Sequence, residues 1–208
     1  MEKQDLKNKV EEPSADYMPS GKADGNYTYA DYLTWQMEEM VELIKGKIFK
    51  QAAAPRVNHQ RVAGIVFSAF FNFLKGKQCE AFIAPFDVRL PVKSKKHEDI
   101  NTVVQPDICV ICDSEKLDEL GCVGAPDLVV EILSPGDNKK ELQNKYEVYE
   151  ESGVKEYWVV YPYEQVVHQY ILEGDKFQAL PIAEKTINSQ VLQGFEVDMD
   201  TIFDTIIE

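Results

Sequence analysis

The spacing of apolar residues changes its period along the chain. Residues 62–74 carry apolar side chains at helical spacing, and Gly76 follows as a stop signal. After Gly76 the pattern becomes strand-like in three successive segments, EAFIAPFDVRL, TVVQPDICVIC and APDLVVEILS. The chain therefore predicts one long helix followed by three strands.

Helical spacing returns after the third of these strands. Leu142, Tyr146 and Tyr149 form an apolar row, Asp137 or Asn138 can cap its start, and Gly153 can end it. Further short strands follow, EYWVVYP and VVHQYIL among them, and the chain closes on a short amphipathic segment. This order predicts an α/β protein of the α+β type, with a central mixed β-sheet flanked by helices.

The chain before the long helix divides into two parts. Residues 1–26 mix charged residues with Pro, Ser and Gly and show no periodicity, so we expect a mobile N-terminal arm. Residues 27–208 are then expected to form a single domain, because a chain of this length suits one hydrophobic core.

The domain is expected to begin with an extra helix and hairpin. Thr28 and Asp31 have the spacing of a capping box, which places a helix start near residue 29. The end of this helix is open, since VELIKGKIFKQ fits either more helix or two strands about a turn at Gly46. We favour the hairpin, beginning after Met40.

Composition limits the class of protein. The net charge of −14 disfavours general coating of nucleic acid and leaves only local contacts. No apolar run approaches the length of a membrane span, and no secretory signal is visible, so we expect a cytoplasmic protein. The four cysteines are then expected to be thiols. Cys109 and Cys112 form a C-x-x-C pair, but no second pair has zinc spacing.

Two carboxylates interrupt strands that are otherwise apolar. Asp107 follows Pro106 in the second strand, and Glu131 lies in the centre of LVVEIL in the third. Burying an unpaired carboxylate costs several kcal/mol, so Glu131 is expected to be neutralised, to pair with a core lysine or arginine, or to bind a cation. Two carboxylates on adjacent strands favour a hard metal such as Mg²⁺.

Two other charged residues could join this pair. Lys145 falls on the inward face of its predicted helix, where it either reaches the carboxylates or extends its ammonium to solvent from the edge of the apolar face. Asp87, expected in the middle of its strand, is either a further ligand or a partner of Arg56, Arg61 or Arg89.

Two short runs of lysine could offset the acidic charge locally. These runs flank the predicted site in sequence and consist of Lys93, Lys95 and Lys96 with His97, and of Lys139 with Lys140. Such runs are usually solvated loop charges. Tyrosines are frequent in EVYEESGVKEYWVVYPY, where core and sheet-edge positions are more common than a platform for base stacking.

The order of elements resembles that of the PD-(D/E)XK nuclease superfamily, whose fold is restriction-endonuclease-like. Pro106 and Asp107 on the second strand and Glu131-Ile132-Leu133 on the third carry the resemblance. The segments VVQPDICVI and GAPDLVVEILSPGDNKKELQNKYEVYEESGVKEYWVVYP are similar to the bacterial Uma-type family of restriction endonucleases. Weaker matches extend this similarity from about residue 27 onward.

This resemblance implies a Mg²⁺-dependent endonuclease that hydrolyses DNA, with Mn²⁺ as a possible substitute. Asp107 and Glu131 match the metal-binding carboxylates, and the main-chain carbonyl of Ile132 would be a further ligand. The motif lysine would fall at Leu133, so the pattern is broken there. Lys145 is our candidate for a migrated lysine.

The resemblance also suggests supporting residues and an assembly. Glu42, His59 and Gln105 match positions that recur in the family, and Asp87 is a further supporting candidate. Because cutting both strands normally takes two sites, we expect a homodimer. The alternative, motivated by Leu133 and the net charge, is a catalytically inactive binding or interaction module on the same scaffold.

Overall fold

The structure is a computed structural model and describes residues 25–35, 41–50, 56–92, 94–135 and 139–207. The predicted arm lies outside these ranges except for residues 25 and 26. Within them the helices are α1 (Tyr29–Tyr32), α2 (Val57–Leu74), α3 (Lys139–Ser152) and α4 (Met199–Phe203). A 3-10 turn covers Ser114–Lys116.

The described strands form two six-stranded mixed sheets and one two-stranded pair. The first sheet has the order β2 (Lys47–Lys50), β1 (Val41–Ile44), β5 (Val103–Val104), β4 (Val88–Arg89), β8 (Gly121–Val123), β7 (Leu117–Asp118). The second has the order β12 (Lys176–Ala179), β11 (Val166–Glu173), β10 (Glu156–Tyr161), β9 (Leu128–Ile132), β6 (Ile108–Ile111), β3 (Glu80–Ile83). The pair is β13 (Thr186–Asn188) with β14 (Glu196–Asp198).

The predicted fold class is confirmed, and so are the principal elements. Helices α2 and α3 form where the apolar spacing placed them, although the predicted cap at 137 or 138 lies outside the described residues. The β1–β2 hairpin turns at Lys45 and Gly46, both with positive φ, so the hairpin is confirmed for this segment. The capping box of Thr28 and Asp31 is present, and the helix that it starts ends at Tyr32.

Two predicted strands are each divided between the two sheets. The segment after residue 79 gives β3 and then β4, with Pro85 and Asp87 between them, so the mid-strand position predicted for Asp87 is wrong. The segment after residue 102 gives β5 and then β6, separated by Pro106. Proline has no N–H to donate to a strand ladder, and the chain crosses between sheets at both places. Asp107 therefore precedes β6 instead of lying within a strand.

The second sheet carries apolar cores on both faces. Helices α2 and α4 cover one face, where Phe70 stacks on Phe195 beside the buried Trp158. Helix α3 and part of the first sheet cover the other face, around Val129 and Tyr157. Full burial of each such side chain contributes about 1.5–3 kcal/mol, which is why β9 is apolar on both faces except at Glu131.

The prediction of four thiols is wrong for two cysteines. Cys79 and Cys112 form a disulfide, whereas Cys109 and Cys122 are buried thiols. The antiparallel register that pairs Glu80 with Ile111 also sets residues 79 and 112 opposite each other. This register brings together cysteines that lie 33 residues apart in sequence.

The sequence predicts that no segment spans a membrane, and the helices bear on this point. Within the described ranges, no helix combines the length and the apolar character needed to cross a bilayer.

Candidate functional site

The strand register brings the two predicted carboxylates together. In the antiparallel β6–β9 pair, Ile108 lies opposite Val130, so one further step sets Asp107 opposite Glu131. A further contact joins the two segments beyond the end of β6, where the Ile132 N–H donates a hydrogen bond to Asp107 Oδ2 at 2.7 Å. On the other side, the Ala84 N–H donates to the main-chain oxygen of Asp107. Asp107 is thus fixed between two strands.

Helix α3 supplies two partners for Glu131. Lys145 Nζ lies 3.1 Å from each Glu131 carboxylate oxygen, and the Tyr149 hydroxyl donates to Oε1 at 2.7 Å. Lys145 and Tyr149 are four residues apart and therefore share the inward face of α3. Lys145 thus reaches Glu131, one of the two carboxylates to which the sequence directed it.

Glu42 on β1 completes this group. Lys145 Nζ also lies 3.1 Å from Glu42 Oε1, which in addition accepts a hydrogen bond from the Gln105 N–H at 2.6 Å. The second oxygen, Oε2, is buried and has no hydrogen-bond partner within the part of the chain that the structure describes. We call Glu42, Glu131, Lys145 and Tyr149 the buried cluster, since all four are below 8% exposed.

The buried cluster holds more negative than positive charge. Burial raises the pKa of Glu131 to about 8, Lys145 opposes this rise, and Asp107 and Glu42 add to it. Burial by itself would lower the pKa of Lys145, but Glu131 and then Glu42 hold it above its ordinary value. Lys145 therefore remains an ammonium. A proton on Glu131 or a bound cation would each remove this surplus charge.

Asp107 is also held from the opposite face of the sheet. His59, near the start of α2, places Nε2 at 3.1 Å from Asp107 Oδ1. The other ring nitrogen, Nδ1, is buried, and none of the described residues forms a hydrogen bond with it. Both oxygens of Asp107 thus have fixed partners, His59 and the Ile132 N–H.

Asp87 joins the site only indirectly. The Gln105 side chain donates to Asp87 Oδ1 at 2.8 Å, while the Gln105 main chain donates to Glu42. The Tyr32 hydroxyl donates to the same Asp87 oxygen at 3.3 Å. The pairing offered between Asp87 and Arg89 is wrong, because the buried Arg89 pairs with Asp118.

The predicted basic residues lie at the surface. Lys95, Lys96, Lys139 and Lys140 have exposed side chains, and Lys93 lies outside the described residues. Lys139 and Lys140 are the first two residues of α3, the helix that carries Lys145.

Sequence reasoning missed the polar role of two tyrosines. The apolar row predicted for α3 includes Tyr149, yet its hydroxyl donates to Glu131. The sequence pattern does not mark Tyr32, yet this residue contacts both Asp87 and Gln105. The spacing of Tyr149 four residues after Lys145 was the available signal for the first, and no local signal marks the second.

The donor set suits a hard divalent cation held partly by water and substrate. Within the described residues, no three His, Cys, Asp or Glu side chains form a ready metal cage. Mg²⁺, however, is usually held by one or two carboxylates together with waters and phosphate oxygens. Asp107 opposite Glu131, the surplus negative charge and the unpartnered Glu42 Oε2 fit that requirement.

Comparisons with known proteins agree with this fold. The chain is similar to a crystal structure described as a putative nuclease belonging to DUF820 from Anabaena variabilis ATCC 29413, with a TM-score of 0.67 and 20% sequence identity over 86% of this chain and 98% of that one. It is also 26% identical over 121 residues to protein slr1290 of Synechocystis sp., which is 57% of this chain and 60% of that protein. This chain thus spans about 60% of the length of that curated relative.

A family model provides the assignment. The model described as "Uma2: Putative restriction endonuclease" matches residues 29–200, which include every residue of the buried cluster as well as Asp107 and His59. Because this match covers most of the chain, the protein belongs to the Uma2 family.

Proposed function

We propose that the protein is a Mg²⁺-dependent endonuclease that hydrolyses DNA phosphodiester bonds, with Mn²⁺ as a substitute metal. Membership of a family described as restriction endonucleases supports a nuclease-like function. The observation that carries the proposal is the position of Asp107 opposite Glu131, with the Lys145 ammonium against Glu131.

The proposed metal ligands are Asp107, Glu131 and the main-chain carbonyl of Ile132. A bound Mg²⁺ would neutralise phosphate charge and make a bound water molecule more acidic. The chain's own part is to hold its two carboxylates at the ends of paired strands, where a phosphodiester can approach them.

Other residues orient these carboxylates. His59 and the Ile132 N–H fix the two oxygens of Asp107, which sets the plane of that carboxylate. Tyr149 and Lys145 fix Glu131 in the same way. We assign Lys145 the charge-stabilising role of the motif lysine, because Leu133 occupies the usual position and Lys145 supplies an ammonium to the same carboxylate.

Surface lysines and a second copy of the chain complete the proposal. Lys95, Lys96, Lys139 and Lys140 are exposed, and we assign them contacts with phosphates; we assign Lys93 the same role from sequence alone. We propose a homodimer, because cleavage of both strands requires two sites. Sedimentation velocity is expected to show a dimer at micromolar concentration, and a monomer throughout would remove this part of the proposal.

The test of the proposed activity is nicking of supercoiled plasmid with and without Mg²⁺ or Mn²⁺. We expect Asp107→Asn to lower the metal-dependent rate about a hundredfold or more, because a ligand carboxylate supplies several kcal/mol of charge stabilisation. The matched control is Asp175→Asn, which removes an exposed carboxylate in the β11–β12 turn. Equal rates for the wild type and Asp107→Asn would refute the proposal.

One observation favours a second candidate, a non-catalytic binding module. Both carboxylate oxygens of Glu131 already have partners, namely Lys145 and Tyr149. In that case the buried cluster would be an internal ion pair, and the protein would bind partners without metal dependence. Failure to cleave any nucleic acid, together with failure to bind Mg²⁺, would favour this candidate.

A further inference from the structure

A cleft lined by tyrosines lies next to the buried cluster. It has a volume of about 790 Å³ and lies between the first half of α3 and strands β9 to β11. We call it the tyrosine cleft, after five of its lining residues, Tyr146, Tyr157, Tyr161, Tyr163 and Tyr170. The volume is within the usual range of small-ligand sites, about 300–1,000 Å³.

The wall of the tyrosine cleft combines exposed aromatic surface with one buried hydroxyl. Tyr157 lines the cleft, and its hydroxyl is fully buried with no hydrogen-bond partner among the described residues. A buried hydroxyl usually has a partner. Tyr163, in the turn after β10, also lines the cleft and is 43% exposed.

The tyrosine cleft and the buried cluster are linked by neighbouring residues. Leu133 and Val159, which both line it, lie on the same face as Glu131, and Val159 is the β10 residue paired with Glu131. The ring of Tyr157 lies 5.2 Å from the ring of Tyr149, whose hydroxyl donates to Glu131. A ligand in the cleft would therefore lie next to the proposed reacting centre.

We propose that the tyrosine cleft binds an unpaired base of a nucleic acid strand whose backbone reaches Asp107 and Glu131. This inference rests on the proposed function and names its substrate class, a strand with unpaired bases. Aromatic side chains bind exposed base faces, which a closed duplex hides. The exposed Lys139, which also lines the cleft, can reach a phosphate.

The charge of the protein supports stacking as the source of affinity. A net charge of −14 opposes the phosphate contacts that provide most duplex binding, and the cleft itself contains both Lys139 and Glu164. Base stacking does not depend on net charge. We therefore expect strand binding with a weaker salt dependence than that of proteins which coat duplex DNA.

The test is a binding titration without cleavage. A fluorescein-labelled oligothymidylate, alone or annealed to its complement, is titrated with the full chain in EDTA and followed by anisotropy. We expect tighter binding of the single strand, and Tyr163→Ala should weaken it about 5- to 150-fold, the range for loss of one stacked base. Tyr163→Phe, which keeps the ring, should bind like the wild type. Phe71→Ala removes an exposed ring from α2, on the opposite face of the sheet, and should have no effect.

Each contrary result overturns this inference. The inference is wrong if the wild type does not bind the strand, or if it binds strand and duplex with equal affinity. It is also wrong if both Tyr163→Ala and Tyr161→Ala bind the strand as tightly as the wild type. Thymidine monophosphate that binds as tightly as the strand would identify a free nucleotide as the occupant instead. Plasmid nicking is read separately, so metal-dependent nicking with no effect of the tyrosine variants would refute only the cleft. Tyrosine-dependent strand binding without nicking would refute only the proposed activity.

Discussion

Replacing Glu131 with Gln should make the protein's stability less dependent on pH. The pKa of Glu131 is raised from 4.5 to about 8 in the folded state, mainly by burial. Between these values the folded state holds a proton that the unfolded state has released, so the free energy of unfolding falls as pH rises. The slope is at most about 1.4 kcal/mol per pH unit.

The magnitude follows from this slope. The contribution of the Glu131 carboxyl is fully present below pH 4.5 and is lost as pH rises through about 8. Lys145 does not enter, because its pKa is raised above 10.5 and the group stays charged throughout this range. From pH 5 to pH 7 the wild type should therefore lose about 2–3 kcal/mol relative to Glu131→Gln.

Urea denaturation at a series of pH values measures this difference. Gln keeps an oxygen that can accept from Tyr149, so the variant is expected to fold. Asp175→Asn serves as the control and should follow the wild-type profile. Parallel profiles for the wild type and Glu131→Gln would refute the raised pKa and the surplus charge assigned to the buried cluster.

The remaining predictions concern stability and thiol content. Lys145→Met should destabilise the protein by about 3–5 kcal/mol, because it leaves Glu42 and Glu131 buried without a cation, and adding Glu42→Gln should recover part of the loss in urea denaturation. Glu156→Gln should cost about 2–4 kcal/mol in the same assay, because the buried carboxylate accepts from Ser189 Oγ and from main-chain N–H groups that an amide NH₂ would repel. Thiol titration of the unfolded chain should count two free cysteines before reduction and four after it.

The sequence predicted the helices better than it predicted the sheets. Helices α2 and α3 could be predicted because the apolar spacing that indicates each helix lies within a single segment of the chain. The two sheets depend on which strands pair, and Pro106 divides one apparently continuous strand between them. The Cys79–Cys112 disulfide depends on the β3–β6 register in the same way.

The candidate site was predictable as far as single residues were concerned. Asp107 and Glu131 stood out because carboxylates interrupt apolar runs, and Lys145 because of its inward position. The distances between them could not be predicted, since Glu42 reaches Lys145 from a hairpin about 100 residues earlier. Tyr149 was hidden because a tyrosine in an apolar row gives no sign of what its hydroxyl contacts.

Isothermal titration of Mg²⁺ and Mn²⁺ into the wild type and three variants tests the proposed carboxylate site most directly. We expect binding by the wild type and by Asp175→Asn, and loss of binding in Asp107→Asn and Glu131→Gln. Wild-type affinity should rise from pH 6.5 to pH 8.5, because the cation must displace the proton on Glu131. Equal metal binding by all four proteins, or none by the wild type at either pH, would contradict a metal site at Asp107 and Glu131.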